Sequence, residues 1–117
     1  MQSEAVTVIV REWRPIPDFP DYFVRSDGVV ESRASGKLKR LKPWITEGYR
    51  QYSLRGRKLY AHQLVMLAFV GPPPPSISDP VVDHRDFNRL NNELDNLRWY
   101  ERLMNMRRTP ATAHLYP

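Results

Sequence analysis

The sequence predicts an α+β fold: a β-rich antiparallel front half, one buried helix, then a compact strand–loop–strand–helix unit. Three observations predict it. Short apolar runs in residues 1–60 are separated by turn pairs such as Asp27-Gly28, Ser35-Gly36 and Arg55-Gly56. The segment AHQLVMLAFV, residues 61–70, suits a buried helix and is stopped by Gly71 and the run Pro72 to Pro75. After it, apolar pairs alternate with an Asn-rich polar loop between residues 80 and 108.

In order, Val6, Val8 and Val10 alternate and suit an edge strand. The stretch EWRPIPDFPDY, residues 12–22, places prolines among large apolar residues, which favours extended packed chain over helix. YFVRSDGVVES, residues 22–32, reads as two strands around Asp27-Gly28, and a third short strand is expected at residues 38–41. Two more are expected at 49–54 and 58–61, joined through Arg55-Gly56-Arg57. Val81 and Val82 begin a strand running into Asp83 and His84. A loop holding Asp86, Asn88, Asn91 and Asn92 follows, then a strand at 96–100 and a short helix at 101–108. The expected division is a β-rich segment at 1–60, a chemical core at 61–108 and an aperiodic tail at 109–117.

The 117 residues carry 18 Lys and Arg against 13 Asp and Glu, a net charge of +5 that favours polyanionic partners. There is no cysteine, which excludes a disulfide framework and a Cys-ligated structural zinc; no structural zinc is expected. The N-terminus lacks the charged start and apolar stretch of a signal peptide, and no apolar run approaches the ~20 residues that span a bilayer. The expected location is therefore the cytoplasm (the host cytoplasm for a phage-encoded protein), with no membrane partner.

Half of the basic residues, Arg33, Lys37, Lys39, Arg40, Lys42, Arg50, Arg55, Arg57 and Lys58, fall between positions 33 and 58, beside the single acid Glu47. On hairpins they form a ribbon that suits a DNA groove, with phosphates favoured over base edges as their contacts. Arg98 and Arg102, with Arg107 and Arg108, are placed to hold a strand's backbone near the chemical core.

Residues 81–99, VVDHRDFNRLNNELDNLRW, preceded by AHQLVMLAFVGPPP, resemble the phage and intron-homing branch of the HNH endonucleases. The resemblance implies a ββα-metal (His-Me finger) core at 61–108. His84 matches the catalytic histidine, Asp83 the acidic metal ligand, Asn96 the central Asn of the catalytic set, and Asn105 the ligand on the helix. More loosely, Trp13, Ile16, Tyr22, Val24, Ser26, Gly28, Val30 and Ser32 resemble the recurring positions of a nuclease-associated modular domain. Two positions depart from the pattern: Phe87 stands where the family often has Gly, and Gln63 where Arg is frequent.

These residue types suit phosphodiester hydrolysis. Histidine side chains titrate near ~6.5, so an imidazole at position 84 can take a proton from water at pH 7. A hard divalent ion prefers oxygen donors, which Asp83 and the Asn105 amide supply. So few protein ligands favour Mg²⁺, with Mn²⁺ or another divalent ion also suitable. Asp83 and His84, neighbours on a strand, can both face one site only if the strand ends there. Asn96 is expected to tie the loop to the second strand.

Other residues read more plainly. Asn88, Asn91 and Asn92 are expected to form turns, His62 to pack in the helix, and His114 to be incidental. Trp13, Trp44 and Trp99 are expected to anchor core or rim. The function expected is a metal-dependent DNA endonuclease acting on double-stranded DNA by nicking or double-strand cleavage, of homing or free-standing type. The alternative is an inactive DNA-binding module on the same scaffold. A structure-selective or RNA-directed nuclease has little support without an aromatic single-strand platform. Oligomeric state stays open.

Overall fold

The computed structural model describes residue 5 and residues 11–117; Val6, Val8 and Val10, expected as an edge strand, lie outside the described residues. Four short strands form the front sheet: β1 (Trp13–Ile16), β2 (Phe19–Arg25), β3 (Val30–Ser32) and β4 (Lys39–Arg40), antiparallel and in chain order. Prolines 15 and 17 keep the first strand extended but irregular, and its register shifts between Pro15 and Ile16. The hairpin at Asp27-Gly28 joins β2 to β3, with Val24 opposite Val30 and both fully buried.

A second sheet follows, of β5 (Trp44–Thr46), β6 (Tyr49–Leu54) and β7 (Arg57–Tyr60). Strand β5 was not among the expected elements. Three residues after a proline carry little periodic signal, and their strand character comes from pairing with β6 (Ile45 opposite Arg50).

Helix α1 (Ala61–Phe69) begins directly after β7 and buries Ala61, His62, Leu64, Val65 and Met66. It packs on β1, β2, β6 and β7 of the front half and on β8 and β9 behind it. The remaining pair is β8 (Pro80–His84) with β9 (Leu97–Glu101), followed by α2 (Arg102–Arg107). In the tail, Ala113–Leu115 form a 3₁₀ turn, held upstream by Thr109–Thr112 hydrogen bonds.

One hydrophobic core serves both halves. Ile16, Phe19, Val24 and Val30 from the front sheet meet Tyr52 and Leu54 from β6, the α1 residues, and Leu97 from β9. Burial of an aliphatic side chain of this size is worth roughly 1.5–3 kcal/mol. The fully buried Val24, Leu54 and Val65 therefore weld the front sheet to the strand pair that carries the chemistry. No helix among the described residues is long and apolar enough to cross a membrane.

Candidate active site

The β8–β9 ladder sets the site. Asp83 lies opposite Arg98 and His84 opposite Leu97, the last pair of the ladder. Strand β8 ends at His84, whose C=O accepts the Phe87 N–H at 2.9 Å to start a turn. Both side chains are inside the protein, Asp83 at 3% and His84 at 6% exposure. With Asn105 from α2, they line one open cleft of about 170 Å³, completed by Tyr49, Val82, Phe87 and Arg89. A larger cavity of about 360 Å³ adjoins it and shares Tyr49, Val82 and Asn105. The chemistry-bearing groups are gathered in the smaller one.

The loop between the strands is held by its own amides. Asp86 Oδ1 accepts from Asn88 N–H, Asn88 Oδ1 from Leu90 N–H, and Asn91 Oδ1 from Glu93 N–H, so Asn88 and Asn91 form turns. Asn91 Nδ2 donates to Asp86 at 2.8 Å; this bond first, with help from the Asn88 N–H and the Asn96 amide, holds the Asp86 carboxyl below the usual carboxylate range. Asn96 spans the loop's two ends. Its Nδ2 donates to Asp86 Oδ1 and Asn91 C=O, and its Oδ1 accepts from Asp86 N–H. Asn96 does not line the cleft; it braces the loop that does. Phe87 takes a left-handed backbone, φ +65°, where glycine is the easier residue, with the Arg108 guanidinium 4.3 Å over its ring.

Asn92 departs from the expected turn role. It is 3% exposed, and its Oδ1 accepts a hydrogen bond from His84 Nε2 at 2.9 Å. In sequence it is indistinguishable from Asn88 and Asn91; only the loop's closure over His84 separates them. His84 Nδ1 makes no hydrogen bond among the described residues and is not sealed from solvent. Tyr49 and Arg89 were not legible as cleft residues from the sequence, and Phe87, noted there only as a departure at a glycine position, also lines the cleft. Tyr49 comes from a distant strand with no motif around it. Arg89 sits within the loop motif, where its charge could have drawn notice; its guanidinium lies 4.8 Å over Tyr49 and donates to Glu47 C=O.

Asp83 is doubly paired, Oδ2 with Arg98 Nε at 2.8 Å and Oδ1 with Arg108 at 3.3 Å. Arg98, expected on the DNA surface, is thus turned inward and also stacks 4.0 Å over Tyr100. Arg102 pairs with exposed Asp79. The donor set fits a hard divalent ion. Each carboxylate oxygen has two acceptor sites, the Arg108 contact on Oδ1 is long, and Asn105, whose amide carries a neutral oxygen donor, lines the same cleft. Among the described residues no three His, Cys, Asp or Glu side chains cluster, so a metal here would have a ligand shell completed by water or substrate.

His62 lies under the cleft, with ring centroids 5.1 Å from Tyr49, 5.3 Å from Tyr60 and 5.2 Å from His84. Burial, and then His84, push its pKa from 6.5 down to about 3. It is a neutral wall, and its Nδ1 has no hydrogen-bond partner among the described residues.

Of the basic residues on the front half, Arg33 pairs with Glu31 and Arg55 with Asp21. Lys37, Lys39, Arg40, Lys42, Arg50, Arg57 and Lys58 make no ion pair among the described residues. Arg25, Arg33 and Arg40 gather around Trp13, each within 5.8 Å of its ring.

Residues 59–107 match the family model described as HNH endonuclease. An uncharacterized HNH endonuclease of Acanthamoeba polyphaga mimivirus is 35% identical over 95 residues, covering 78% of this chain and 27% of the relative. The DNA endonuclease I-HmuI of Bacillus phage SP01 is 34% identical over 101 residues, covering 81% of this chain and 55% of that protein. A solved structure concerned with DNA binding and cleavage by the HNH homing endonuclease I-HmuI superimposes with a TM-score of 0.70 at 31% identity, over 89% of this chain and 64% of that one. The chain thus spans about half the length of I-HmuI and about a quarter of the viral relative. The shared architecture covers the front sheets as well as the strand pair, since the superposition extends well beyond the family match.

Proposed function

We propose that this chain, whose residues 59–107 belong to the HNH endonuclease family, hydrolyses phosphodiester bonds in DNA with His84 as general base. One observation carries the reading. His84, Asp83 and Asn105 line a single cleft, and the imidazole has one nitrogen committed to Asn92 and the other without a hydrogen bond among the described residues. A nitrogen lone pair held in that way can take a proton from an attacking water.

HNH nucleases generally use a divalent metal, and Asp83 with Asn105 would hold it here, Mg²⁺ suiting the oxygen donors best. When bound, such an ion supplies Lewis-acid stabilisation of the phosphate and of the departing oxygen. The chain's own contribution is distinct. Asp83 offers its carboxylate while Arg98 and Arg108 hold that carboxylate in one orientation. Asn96 keeps the loop at fixed span between the strands, Tyr49 and Val82 line the cleft, and His62 backs the Tyr49 and His84 rings from the adjoining cavity.

The substrate proposed is DNA, from the likeness to I-HmuI, whose structure concerns DNA binding and cleavage, and double-stranded DNA because the basic hairpins suit a duplex groove. The cations Lys37, Lys39, Arg40, Lys42, Arg50, Arg57 and Lys58, without ion pairs among the described residues, supply phosphate contacts. A homing-type role follows the same likeness. The test is conversion of supercoiled plasmid to open-circle or linear DNA by the purified chain with Mg²⁺ or Mn²⁺. Conversion by the native chain and none by His84→Ala supports the reading. Plasmid left intact, with salt-sensitive DNA binding that chelator does not change, would make the chain a binding module instead.

A further inference from the structure

We propose that the Asp27-Gly28 turn of the front sheet sets the position of the His84 ring by holding Asn92, which makes the front sheet a working part of the nuclease site. The inference deepens the reading of His84 as general base and rests on it.

Gly28 is the point of contact. Its φ is +93°, and a Cβ built on it would stand 3.0 Å from Asn92 Cβ and 3.5 Å from Ala61 Cβ. The turn's backbone therefore lies close against Asn92: a side chain at this position would have to push Asn92 aside by a few tenths of an ångström and would be strained by the positive φ. Asn92 is the residue whose Oδ1 receives the His84 Nε2 proton at 2.9 Å.

The turn and the loop are tied on both sides of that contact. Leu94 N–H donates to Ser26 C=O at 2.8 Å. Arg11 bridges them, Nε to Asp27 at 3.3 Å and Nη2 to Glu93 at 2.8 Å. From the second sheet, buried Tyr52 donates its hydroxyl proton to Gly28 C=O at 3.0 Å, which pins the turn from below. Gly28 is thus held by Tyr52 and in turn backs Asn92.

The chemical consequence follows from the imidazole. A neutral ring has one N–H and one lone pair, and which nitrogen holds the proton is set by the partner of the other. An acceptor on Nε2 keeps the proton there and leaves the lone pair on Nδ1, the nitrogen with no hydrogen-bond partner among the described residues. Without Asn92 Oδ1 both tautomers and more ring orientations become populated, and misplacement of a reacting group on the order of 1 Å can cost ~10²-fold in rate. Asn92 and Gly28 are positioning residues; neither lines the cleft.

The test uses the full chain and two readouts: long-range ¹⁵N–¹H NMR of His84 without metal, and cleavage rates on a DNA duplex. Asn92→Leu keeps the branched shape, in a somewhat larger side chain, and removes the acceptor. It should lose the single Nε2–H signature and lower kcat by ~10–100-fold, with KM for DNA little changed. Asn92→Asp keeps an acceptor and should recover both. Gly28→Ala should shift the tautomer in the same direction, and its loss in kcat should not multiply with that of Asn92→Leu, since one acts through the other. If Gly28→Ala fails to fold, Tyr52→Phe releases the turn without adding an atom and should produce a smaller change of the same sign. A tautomer signature unmoved in Asn92→Leu, or unmoved in both turn variants, overturns the proposal. Full cleavage by His84→Ala would instead remove the base assignment, while the NMR signature would still report whether the turn holds the ring.

Discussion

Asp83 and Arg98 stand directly opposite each other on β8 and β9, and Arg98 Nε donates to Asp83 Oδ2 at 2.8 Å. With Arg108 on the other oxygen, the carboxylate proposed for the metal is also a buried structural anion. Its two roles separate by substitution. Asp83→Ala leaves two guanidinium groups without their partner, and removing one member of a buried pair costs about 3–5 kcal/mol. Asp83→Asn retains an acceptor and should cost clearly less. Both should lose metal-dependent cleavage. Urea denaturation with plasmid cleavage checks this; equal stability losses in the two variants would contradict the structural role.

His84→Ala should lower cleavage by ~10²–10⁴-fold, the range general-base removal gives, while DNA affinity is retained. The ring is buried against Tyr49 and His62, so thermal unfolding must be followed alongside. Undiminished cleavage would exclude His84 as the base.

His62 predicts an acid limb of stability. Its pKa is lowered to about 3 in the folded chain from 6.5, so below pH 6.5 the unfolded chain binds a proton that the native chain refuses. Stability is unaffected above pH 6.5 and falls progressively as pH drops toward 3. The ceiling on this loss is on the order of 5 kcal/mol. His62→Phe should flatten the dependence across that window. Denaturant midpoints at pH 7 and pH 4.5 measure it; an unaltered difference between the two would remove His62 as its source.

Asn96→Ala removes three hydrogen bonds that close the loop. Asp86 is exposed and Asn91 half-buried, so water can take up the freed groups and the cost is the net worth of the bonds, about 0.5–1.5 kcal/mol each. The expected result is faster amide exchange across residues 85–96 and reduced cleavage. Unchanged exchange would mean the loop is held by its turns alone.

Replacing Arg57 and Lys58 with Ala removes two cations that make no ion pair among the described residues. DNA binding should weaken and its salt dependence flatten, by up to about 0.9 in log–log slope for each phosphate no longer neutralised. Filter binding between 50 and 200 mM salt (roughly the range where such slopes are read) tests it. A slope identical to the native chain's would place the DNA elsewhere.

Much was legible from the chain alone, because it was written locally. Asp27-Gly28 forces a hairpin, AHQLVMLAF a buried helix, and VVDH followed by an Asn-rich loop a strand entering turns. The run from Asp83 to Asn105 also carries its own family likeness. What sequence order could not express was contact between distant segments. That Asn92, among three similar loop asparagines, is the one on His84 depends on how the loop closes. That Tyr49 enters the cleft and Gly28 backs the loop depends on α1 welding the front sheets to β8 and β9 through one core. Likewise Arg98 belongs to Asp83 rather than to solvent only because strand register sets them opposite. Local backbone preference determined the elements; burial and pairing between them decided which side chains share a site.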